Sequence, residues 1–433
     1  MKVKLIPILL IAILVSCSKD KAPEKAQPVP SEPVKVQMLV YANEGMIKNY
    51  RETLSRFEAV NPGIKVELLN LRGDDWSDFE HALRSRLLIG ESPDIIDVSV
   101  VFRDALIDEG LLLDIMPYME ASGMDLNLYF ENQMNGLKRG NALYGIPSGA
   151  LLMAAYVNKD LFREAGVELP GISWDDTWDW EEYAAKTEAI STFESPKGKV
   201  YGTTHFFTIG WIIPFLLNNG SDFLTKQQDD CSADKEPARE TFSFLKELMF
   251  DKGVSPNMIQ LTAMQPYQHF FDGKVGVLIE GNWWMEAARD NIDFDWGVLP
   301  LPQNPPYNAT GLYVDNWSIP QESSHPEEAF MVLKFLLEEE QQKSGIMKGI
   351  PPLKSAAREI YTNRFPNLSS KEIDVWFDGI ARGVTPAYYR GWNDFQNESS
   401  EILKDYSYGK YSTDEMVKLL CQSYEESRRR EYK

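Results

Sequence analysis

The sequence has few of the residues that usually hold a metal ion or carry out catalysis. Of its 433 residues, four are histidine and three are cysteine. No HExxH motif and no His/Cys cluster of metal-binding spacing occurs, so a zinc site is not expected. The GxSxG, GxxxxGK(S/T) and GxGxxG motifs of hydrolases, nucleotide-binding and dinucleotide-binding proteins are absent as well. We therefore predict a protein that is not an enzyme, has no catalytic residues and needs no metal and no cofactor.

Positive charge is also scarce. The chain has 44 Lys and Arg against 65 Asp and Glu, a net charge of -21 and a pI of about 4.7. Such a surface argues against nucleic acid as a partner and against a polybasic contact with anionic lipid. The length exceeds what one hydrophobic core usually supports, so two lobes are expected. Aromatic residues make up 12% of the chain, which supplies flat faces for a planar or sugar-like partner.

The N-terminal segment has the pattern of an export signal. Two lysines precede an apolar run at residues 5–15, which is shorter than the roughly 20 residues that span a bilayer. The run ends in LVSC, which resembles the lipobox of bacterial lipoproteins, and that resemblance implies acylation of Cys17. Residues 18–33 are polar and proline-rich, as expected for an extended tether. We therefore expect an extracytoplasmic protein of the cell envelope, lipid-anchored, with residues 1–17 as its signal peptide and lipobox.

The other two cysteines are Cys231 and Cys421. In an exported protein they could form a disulfide, but the connectivity of cysteines cannot be read from a sequence. Because they lie far apart along the chain, we favour two unpaired thiols over a disulfide.

After the tether, apolar strands alternate with amphipathic helices. Short apolar runs at residues 34–41, 64–69 and 95–100 are typical of strands, and apolar residues at helical spacing lie between them. This alternation indicates βαβ units and an α/β fold with a largely parallel sheet. Near the C-terminus, Ser412 and Glu415 have the spacing of a capping box, which predicts the start of the last helix.

Residues 270–284, FFDGKVGVLIEGNWW, predict a buried strand at residues 276–279 that ends in a turn. Trp283 and Trp284 follow this turn. In an open α/β sheet, ligands bind outside the carboxyl ends of the strands, so a ligand is expected near these rings. The alternative is that both tryptophans pack in the core, as most tryptophans do.

Seven segments occur in an order that is typical of one protein family. They are RFEAVNPGIKVELL, GESPDIIDV, EGLLLDIMPY, LYGIPSG with AYVNKDLFREAG, TWDWEEY, FFDGKVGVLIEGNW and WGVLPLP. Their order resembles the extracytoplasmic sugar-binding proteins of ABC importers, the family that includes maltose-binding protein. The resemblance covers the chain from about residue 34 to the C-terminus. It implies a two-lobed periplasmic-binding-protein fold, with a mostly parallel sheet flanked by helices in each lobe and a hinge between the lobes.

By the same pattern, residues 34–148 and 310–352 would form the first lobe, and residues 149–309 and 353–433 the second. Proline and glycine clusters near these junctions agree with such crossings. The implied function is that of a solute-binding lipoprotein of an ABC importer. It would capture a sugar or related polyol between the lobes and deliver it to the membrane permease, as a monomer.

The resemblance and the loops that follow strands together suggest ligand-binding residues. In the family's FxxG…GxW pattern the tryptophan after the strand stacks on the sugar, and by count this is Trp283, so we expect Trp284 to face the interior of its lobe. Glu280 and Asn282 flank the turn and could bind ligand hydroxyls. The other candidates lie in loops after strands, at the crossings between lobes or near a C-terminal helix start: Asn43, Glu44, Asp74, Trp76, Ser99, Ser148, Trp211, Asp315, Trp317 and Trp392.

Some of these residues have a competing structural explanation. Trp76 shares a helical stripe with Phe79 and Leu83, and Trp211 lies between apolar stretches, so either ring could belong to the core. After the third strand, the maltose-binding pattern has an aromatic ring and charged side chains. This chain has VSVV at residues 98–101 instead, which argues against a maltodextrin as the ligand.

A lipid-anchored glycan hydrolase or a surface glycan-binding protein is the alternative function. A glycosidase needs two carboxyl groups roughly 5 to 9.5 Å apart across a cleft. Adjacent acids occur at Asp74-Asp75, Asp175-Asp176 and Glu181-Glu182. Neighbouring acids point apart, and acids in the first turn of a helix favour its dipole, so we expect the last two pairs to be solvated surface.

Overall fold

The protein is described from a computed structural model. The structure describes residues 32–71, 76–196, 198–224 and 230–431. The expected signal peptide, Cys17, nearly all of the tether, and Asp74 with Asp75 lie outside these residues. Within the described ranges, no helix is both long and apolar enough to cross a membrane.

Strands and helices alternate along the described chain. The strands are β1 (Val34–Val40), β2 (Ile64–Asn70), β3 (Ile95–Val98), β4 (Lys138–Arg139), β5 (Ala142–Leu143), β6 (Ile146–Asn158), β7 (Tyr201–Thr204), β8 (Val275–Gly281), β9 (Trp296–Leu299), β10 (Thr310–Ser318) and β11 (Gly383–Val384). The helices are α1 (Glu44–Val60), α2 (Trp76–Leu88), α3 (Val100–Asp108), α4 (Met116–Ser122), α5 (Glu131–Asn135), α6 (Lys159–Glu164), α7 (Trp180–Thr192), α8 (Ile209–Leu217), α9 (Glu236–Lys246), α10 (Met258–Ala263), α11 (Pro266–Phe271), α12 (Met285–Asn291), α13 (Pro326–Leu336), α14 (Glu339–Gln342), α15 (Lys354–Arg364), α16 (Ser370–Arg382), α17 (Trp392–Ser407) and α18 (Thr413–Glu431).

One extended sheet runs through both parts of the molecule. Its hydrogen-bonded order is β2-β1-β3-β10-β6-β8-β7, with β11 beside β10 and β9 beside β6. In the first part, β1, β2 and β3 run parallel, and β10 runs antiparallel to β3. In the second part, β7 and β8 run parallel, and β8 and β9 both run antiparallel to β6. Each part is therefore mostly parallel with one reversed strand, which confirms the predicted α/β fold.

Backbone pairings occur near the three expected junctions. The long strand β6 pairs with β10 over its first half and with β8 and β9 over its second half. Beside it, Ala150 and Ile350 exchange two backbone hydrogen bonds of 2.9 Å. β11 pairs with the start of β10 at Thr310. These connections lie close to the junctions expected at 148/149, 309/310 and 352/353, and the assignment of residues to lobes stays a prediction.

The local predictions agree with the structure except at the ends of some strands. α1 buries the apolar residues whose helical spacing predicted it. β3 ends at Val98, two residues before the predicted end, because Ser99 takes the N-cap position of α3 and Val100 is already helical. The predicted capping box is confirmed, since Ser412 N–H donates to Glu415 Oε2 at 2.9 Å and Glu415 N–H donates to Ser412 Oγ at 3.3 Å.

Cys231 and Cys421 form a disulfide, so the expectation of two unpaired thiols is wrong. Their Cα atoms lie 5.5 Å apart although 190 residues separate them along the chain. Cys231 lies in the segment between α8 and α9, and Cys421 lies on α18. Tertiary packing of this segment against the C-terminal helix brings the two sulfurs together, and no local sequence pattern reports that proximity.

Candidate functional site

Two adjoining cavities lie where the two parts of the sheet meet. We call the first the aromatic cavity; its volume is about 540 Å³, and its lining includes Tyr41, Glu44, Leu71, Trp76, Leu151, Trp283, Asp315 and Lys348. We call the second the polar cavity; its volume is about 360 Å³, and its lining includes Asn49, Asn282, Trp283, Glu286, Lys348, Tyr361 and Arg364. Four residues line both: Asn43, Met46, Trp283 and Lys348. The two cavities are therefore parts of one cleft.

Trp283 stands at the junction of the cavities, with 37% of its surface exposed. The end of β8 fixes its position, because Asn282 is held between two elements. The Asn282 amide donates to Ala150 O at 3.1 Å and to the Tyr361 hydroxyl at 3.2 Å, and its Oδ1 accepts from Leu152 N–H at 3.1 Å. The Trp283 ring lies over Gly281, where an added Cβ would come within 2.1 Å of the ring. A glycine before the turn thus allows the ring to lie along the strand end.

Trp284 points elsewhere. Its ring stacks on Tyr267 with 3.8 Å between the ring centroids, and its edge approaches Phe271 at 6.2 Å. Both partners belong to α11, in the second part of the molecule. Trp284 is half-buried and lines neither cavity. The expectation that Trp284 faces the interior of its lobe is therefore wrong, because its ring stacks on partly buried residues of α11 outside the core. That Trp283 faces a ligand stays a prediction.

Trp211 packs against Trp283 and forms a hydrogen bond with the buried Glu280. Glu280 is fully buried, and its Oε1 accepts hydrogen bonds from Trp211 Nε1 at 3.1 Å and from Gly281 N–H at 2.9 Å. Burial raises the pKa of Glu280 to about 8, and these two hydrogen bonds offset part of that rise. The Trp211 ring stands perpendicular to Trp283, with centroids 6.4 Å apart. We expected Glu280 to contact a ligand, whereas the structure places it beneath Trp211 and outside both cavities, because it lies on the buried end of β8.

Asn43, Glu44 and Trp76 occupy the opposite wall of the cleft. Asn43 caps α1 by accepting a hydrogen bond from Met46 N–H at 2.9 Å, and Glu44 is exposed in the first turn of that helix. Trp76 packs on Tyr41 with 4.6 Å between ring centroids. Its ring also lines the aromatic cavity, so it belongs to both the helical stripe and the cleft.

Asp315 is the buried acid of the aromatic cavity. Its Oδ1 accepts a hydrogen bond from Val100 N–H at 3.2 Å, at the start of α3. Burial raises the pKa of Asp315, and the charge of Lys348 opposes that rise. Ser99 and Ser148 are buried beside these elements and line neither cavity. Among the described residues, no group bonds to the Ser148 hydroxyl.

Lys348 and Asp97 are the main site residues that sequence reasoning missed. The Lys348 ammonium pairs with the Asp97 carboxylate and lies 4.4 Å from the centroid of the Trp76 ring. The Lys348 side chain is 9% exposed and that of Asp97 is fully buried. Burial raises the pKa of Asp97, and the charge and hydrogen bond of Lys348 oppose this. The only local signal is that Lys348 directly precedes a glycine and proline cluster at a predicted crossing between lobes.

Two predicted site tryptophans lie in the core instead. Trp317 is fully buried, and its Nε1 donates to the Tyr50 hydroxyl at 3.1 Å. Trp392 is 2% exposed and meets the edges of Tyr388 and Phe223 at centroid distances of 4.9 and 6.0 Å. Both rings face hydrophobic neighbours because the packed interior leaves no open side toward the cleft. Neither lines a cavity of the cleft.

Of the acid pairs considered for hydrolysis, the two that the structure describes lie away from the cleft. Asp175 pairs with Arg382 at 2.6 Å, and Glu181 and Glu182 lie in the first turn of α7. None of these acids lines the two cavities, in agreement with the expected solvated surface. Across the described ranges, no group of three or more His, Cys, Asp or Glu side chains could hold a metal ion.

The chain matches a known protein family over most of its length. The family model described as bacterial extracellular solute-binding protein matches residues 42–343. Among curated proteins, a putative binding protein of Brucella abortus is 24% identical over 382 residues, covering 85% of this chain and 87% of that protein. The arabinooligosaccharide-binding protein of Halalkalibacterium halodurans is 24% identical over 275 residues, 60% of this chain and 58% of that protein. The multiple sugar-binding protein of Streptococcus mutans is 22% identical over 333 residues, covering 75% of each.

Solved structures of the same architecture cover nearly the whole chain. An ABC substrate-binding protein of Listeria monocytogenes, in complex with cycloalternan, superposes with a TM-score of 0.77 at 20% identity, covering 92% of this chain and 99% of that one. The sugar-binding protein MalE of Xanthomonas citri gives a TM-score of 0.75 at 20% identity, covering 92% and 98%. These likenesses confirm the predicted two-lobed periplasmic-binding-protein fold.

Proposed function

The chain belongs to the family of bacterial extracellular solute-binding proteins, as the order of its sequence segments predicted, and from this premise we propose that its solute is a sugar or related polyol. The protein captures the sugar between its two lobes and delivers it to the permease subunits of an ABC importer. It acts by binding, without a cofactor. The names of two relatives support a sugar as the solute, since one binds arabinooligosaccharides and another binds multiple sugars.

The observation that carries this proposal is the position of Trp283. An indole ring that is 37% exposed where two cavities join offers an apolar face to a ligand. A sugar ring has a face of C–H groups that packs on such a ring, while its hydroxyls turn edgewise toward polar neighbours. Asn43, Glu44, Asp315 and Lys348 supply donors and acceptors around that face.

Closure of the cleft would couple sugar binding to transport. The proposed lobes are residues 34–148 with 310–352, and residues 149–309 with 353–433. Trp283 and Asn282 then belong to one lobe and Asn43, Asp315 and Lys348 to the other, so a sugar that contacts both sets favours the closed form. A saturating sugar should reduce the radius of gyration in small-angle scattering, and the same curve should report the mass of a monomer.

A thermal-shift panel tests the proposed function. The panel contains mono- and disaccharides, polyols, sugar phosphates and oligosaccharides, with free amino acids and short peptides as negative controls. A sugar at 100 times its dissociation constant should stabilise the protein by about 2.7 kcal/mol, because it binds the native state alone. Stabilisation by amino acids or peptides together with no response to any sugar would overturn the proposal.

We also propose that the protein is a lipoprotein attached to the membrane through Cys17. The acidic chain offers no second electrostatic attachment to anionic lipid, so one acylated cysteine would be the anchor. The Cys17→Ala variant should therefore leave the membrane fraction and appear folded in the soluble envelope fraction. Retention of this variant in membranes after a high-salt wash would contradict the anchor.

A further inference from the structure

Lys348 is held in place from three sides. Its backbone N–H donates to Ser148 O at 2.9 Å, which fixes the residue beside β6. Its ammonium pairs with the buried Asp97 carboxylate. The same ammonium lies 4.4 Å from the ring centroid of Trp76 and 5.9 Å from that of Tyr41, within the range of cation–π attraction. A lysine side chain normally has four freely rotating bonds, and here these contacts restrict them.

The fixed ammonium still has hydrogen bonds to donate. A lysine ammonium carries three N–H donors and no acceptor. Among the described residues, Asp97 is its only hydrogen-bond acceptor. Lys348 lines both cavities of the cleft, at their junction beside Trp283. The unused donors are therefore available to a molecule that occupies the cleft.

We propose that Lys348 determines ligand specificity, by donating hydrogen bonds to a hydroxyl or ring oxygen of a neutral sugar and by excluding sugars with an amino group at that position. This inference rests on the proposed sugar-binding function. A protonated amino group is itself a hydrogen-bond donor and has no acceptor lone pair. It could therefore accept no hydrogen bond from the Lys348 ammonium, and the two positive charges would repel each other. A sugar oxygen accepts from Lys348, and a neighbouring hydroxyl can donate to Asp315 in the same cavity.

The competing explanation is that Lys348 only neutralises Asp97. Loss of the lysine would then destabilise the protein, because the buried carboxylate would lose its counter-charge and, among the described residues, keep only the hydrogen bond from the Tyr41 N–H. It would not change which sugars the protein prefers. The ratio of the affinities for a neutral sugar and its amino counterpart therefore separates the two roles, since a fold defect lowers both affinities together.

Titration calorimetry with matched sugar pairs measures this ratio. The pairs are glucose and glucosamine, galactose and galactosamine, mannose and mannosamine, and cellotriose and the glucosamine trimer. The wild-type protein should bind at least one neutral sugar about 10-fold or more tightly than its amino counterpart, as expected for a charge-assisted hydrogen bond. Lys348→Met should weaken the neutral sugar about 10-fold and the amino sugar much less, so the preference falls.

Two further variants complete the experiment. Asp97→Asn combined with Lys348→Met removes the unpaired carboxylate and should show the same loss of preference in a stable protein. Lys343→Met is the matched control, because Lys343 pairs with Glu339 and Glu359 outside both cavities, and it should keep the wild-type ratio. If a neutral sugar binds and its preference over the amino sugar survives in both Lys348 variants, the specificity role is overturned while sugar binding stands. If none of the neutral sugars binds, the sugar proposal and this inference fall together.

Discussion

Trp283→Ala should weaken sugar binding by roughly 2 kcal/mol or more, the range of a buried aromatic hot spot, which corresponds to about 30-fold in affinity. The ring lines both cavities and is 37% exposed without a ligand, so a bound sugar would complete its burial. The unliganded protein should lose little stability, because part of the ring has no core contact to lose. Titration calorimetry with a sugar that stabilises the wild-type protein, together with melting curves, measures both effects.

Trp284→Ala is the matched control for this prediction. It removes the same type of side chain from the next position, but Trp284 stacks on Tyr267 and lines neither cavity. Its loss should lower the melting temperature and leave the affinity unchanged. Because Trp284 is half-buried, we expect a smaller cost than the roughly 3 to 5 kcal/mol of a fully buried tryptophan. Normal affinity of the Trp283 variant, or equal loss in both variants, would show that the centre of the site is misplaced.

The sequence predicted those residues of the cleft that directly follow strand ends. β1 and β8 were recognisable as apolar runs, and the residues after each run lie in the cleft, as Asn43, Glu44 and Trp283 show. This works because strand direction and sheet order in an α/β fold bring strand ends to one edge. The alternation of strands and helices also predicted the fold, since it depends on local periodicity.

The depth of a side chain along a strand could not be predicted. Asp315 and Trp317 are two residues apart on β10, a spacing that puts both side chains on one face of a regular strand. The register shift between β10 and β6 adds Ser148 on the β6 side and leaves β10 itself continuous. Asp315 lines the cleft, whereas Trp317, farther along β10, packs on Tyr50 in the core. The hydrophobic pattern does not report where along a strand the cleft ends.

Contacts between distant segments were the other part that sequence could not reveal. Lys348 and Asp97 are 251 residues apart, and neither has a local pattern that points to the other. Cys231 and Cys421 present the same difficulty at a separation of 190 residues. In both cases a polar or reactive pair forms because separate elements pack together. Whether two residues that are distant in sequence meet in the fold cannot be judged from their spacing. The disulfide was not predicted for this reason.

Loss of the disulfide is the second change for which we expect a large effect, in this case on stability. Replacing both cysteines by alanine, as Cys231→Ala with Cys421→Ala, should lower the free energy of unfolding by roughly 2 to 5 kcal/mol. The reason is that the bond closes a loop of 190 residues, and a long loop restricts the unfolded chain more than a short one. The bond also holds the segment after α8 against α18, where Phe223 and Tyr424 meet edge to face with 6.4 Å between ring centroids.

Denaturant unfolding with and without a reductant separates the disulfide from the packing around it. Reduced wild-type protein should unfold at the same denaturant concentration as the double-alanine variant, and the variant should not respond to the reductant. Sugar affinity should stay unchanged in both, because neither cysteine lines the cleft. If the wild-type protein without reductant and the double-alanine variant have the same denaturation midpoint, the two thiols are unpaired in solution. A variant destabilised well beyond reduced wild type would instead assign the loss to the buried Cys231 side chain, which is 5% exposed, and not to the covalent bond.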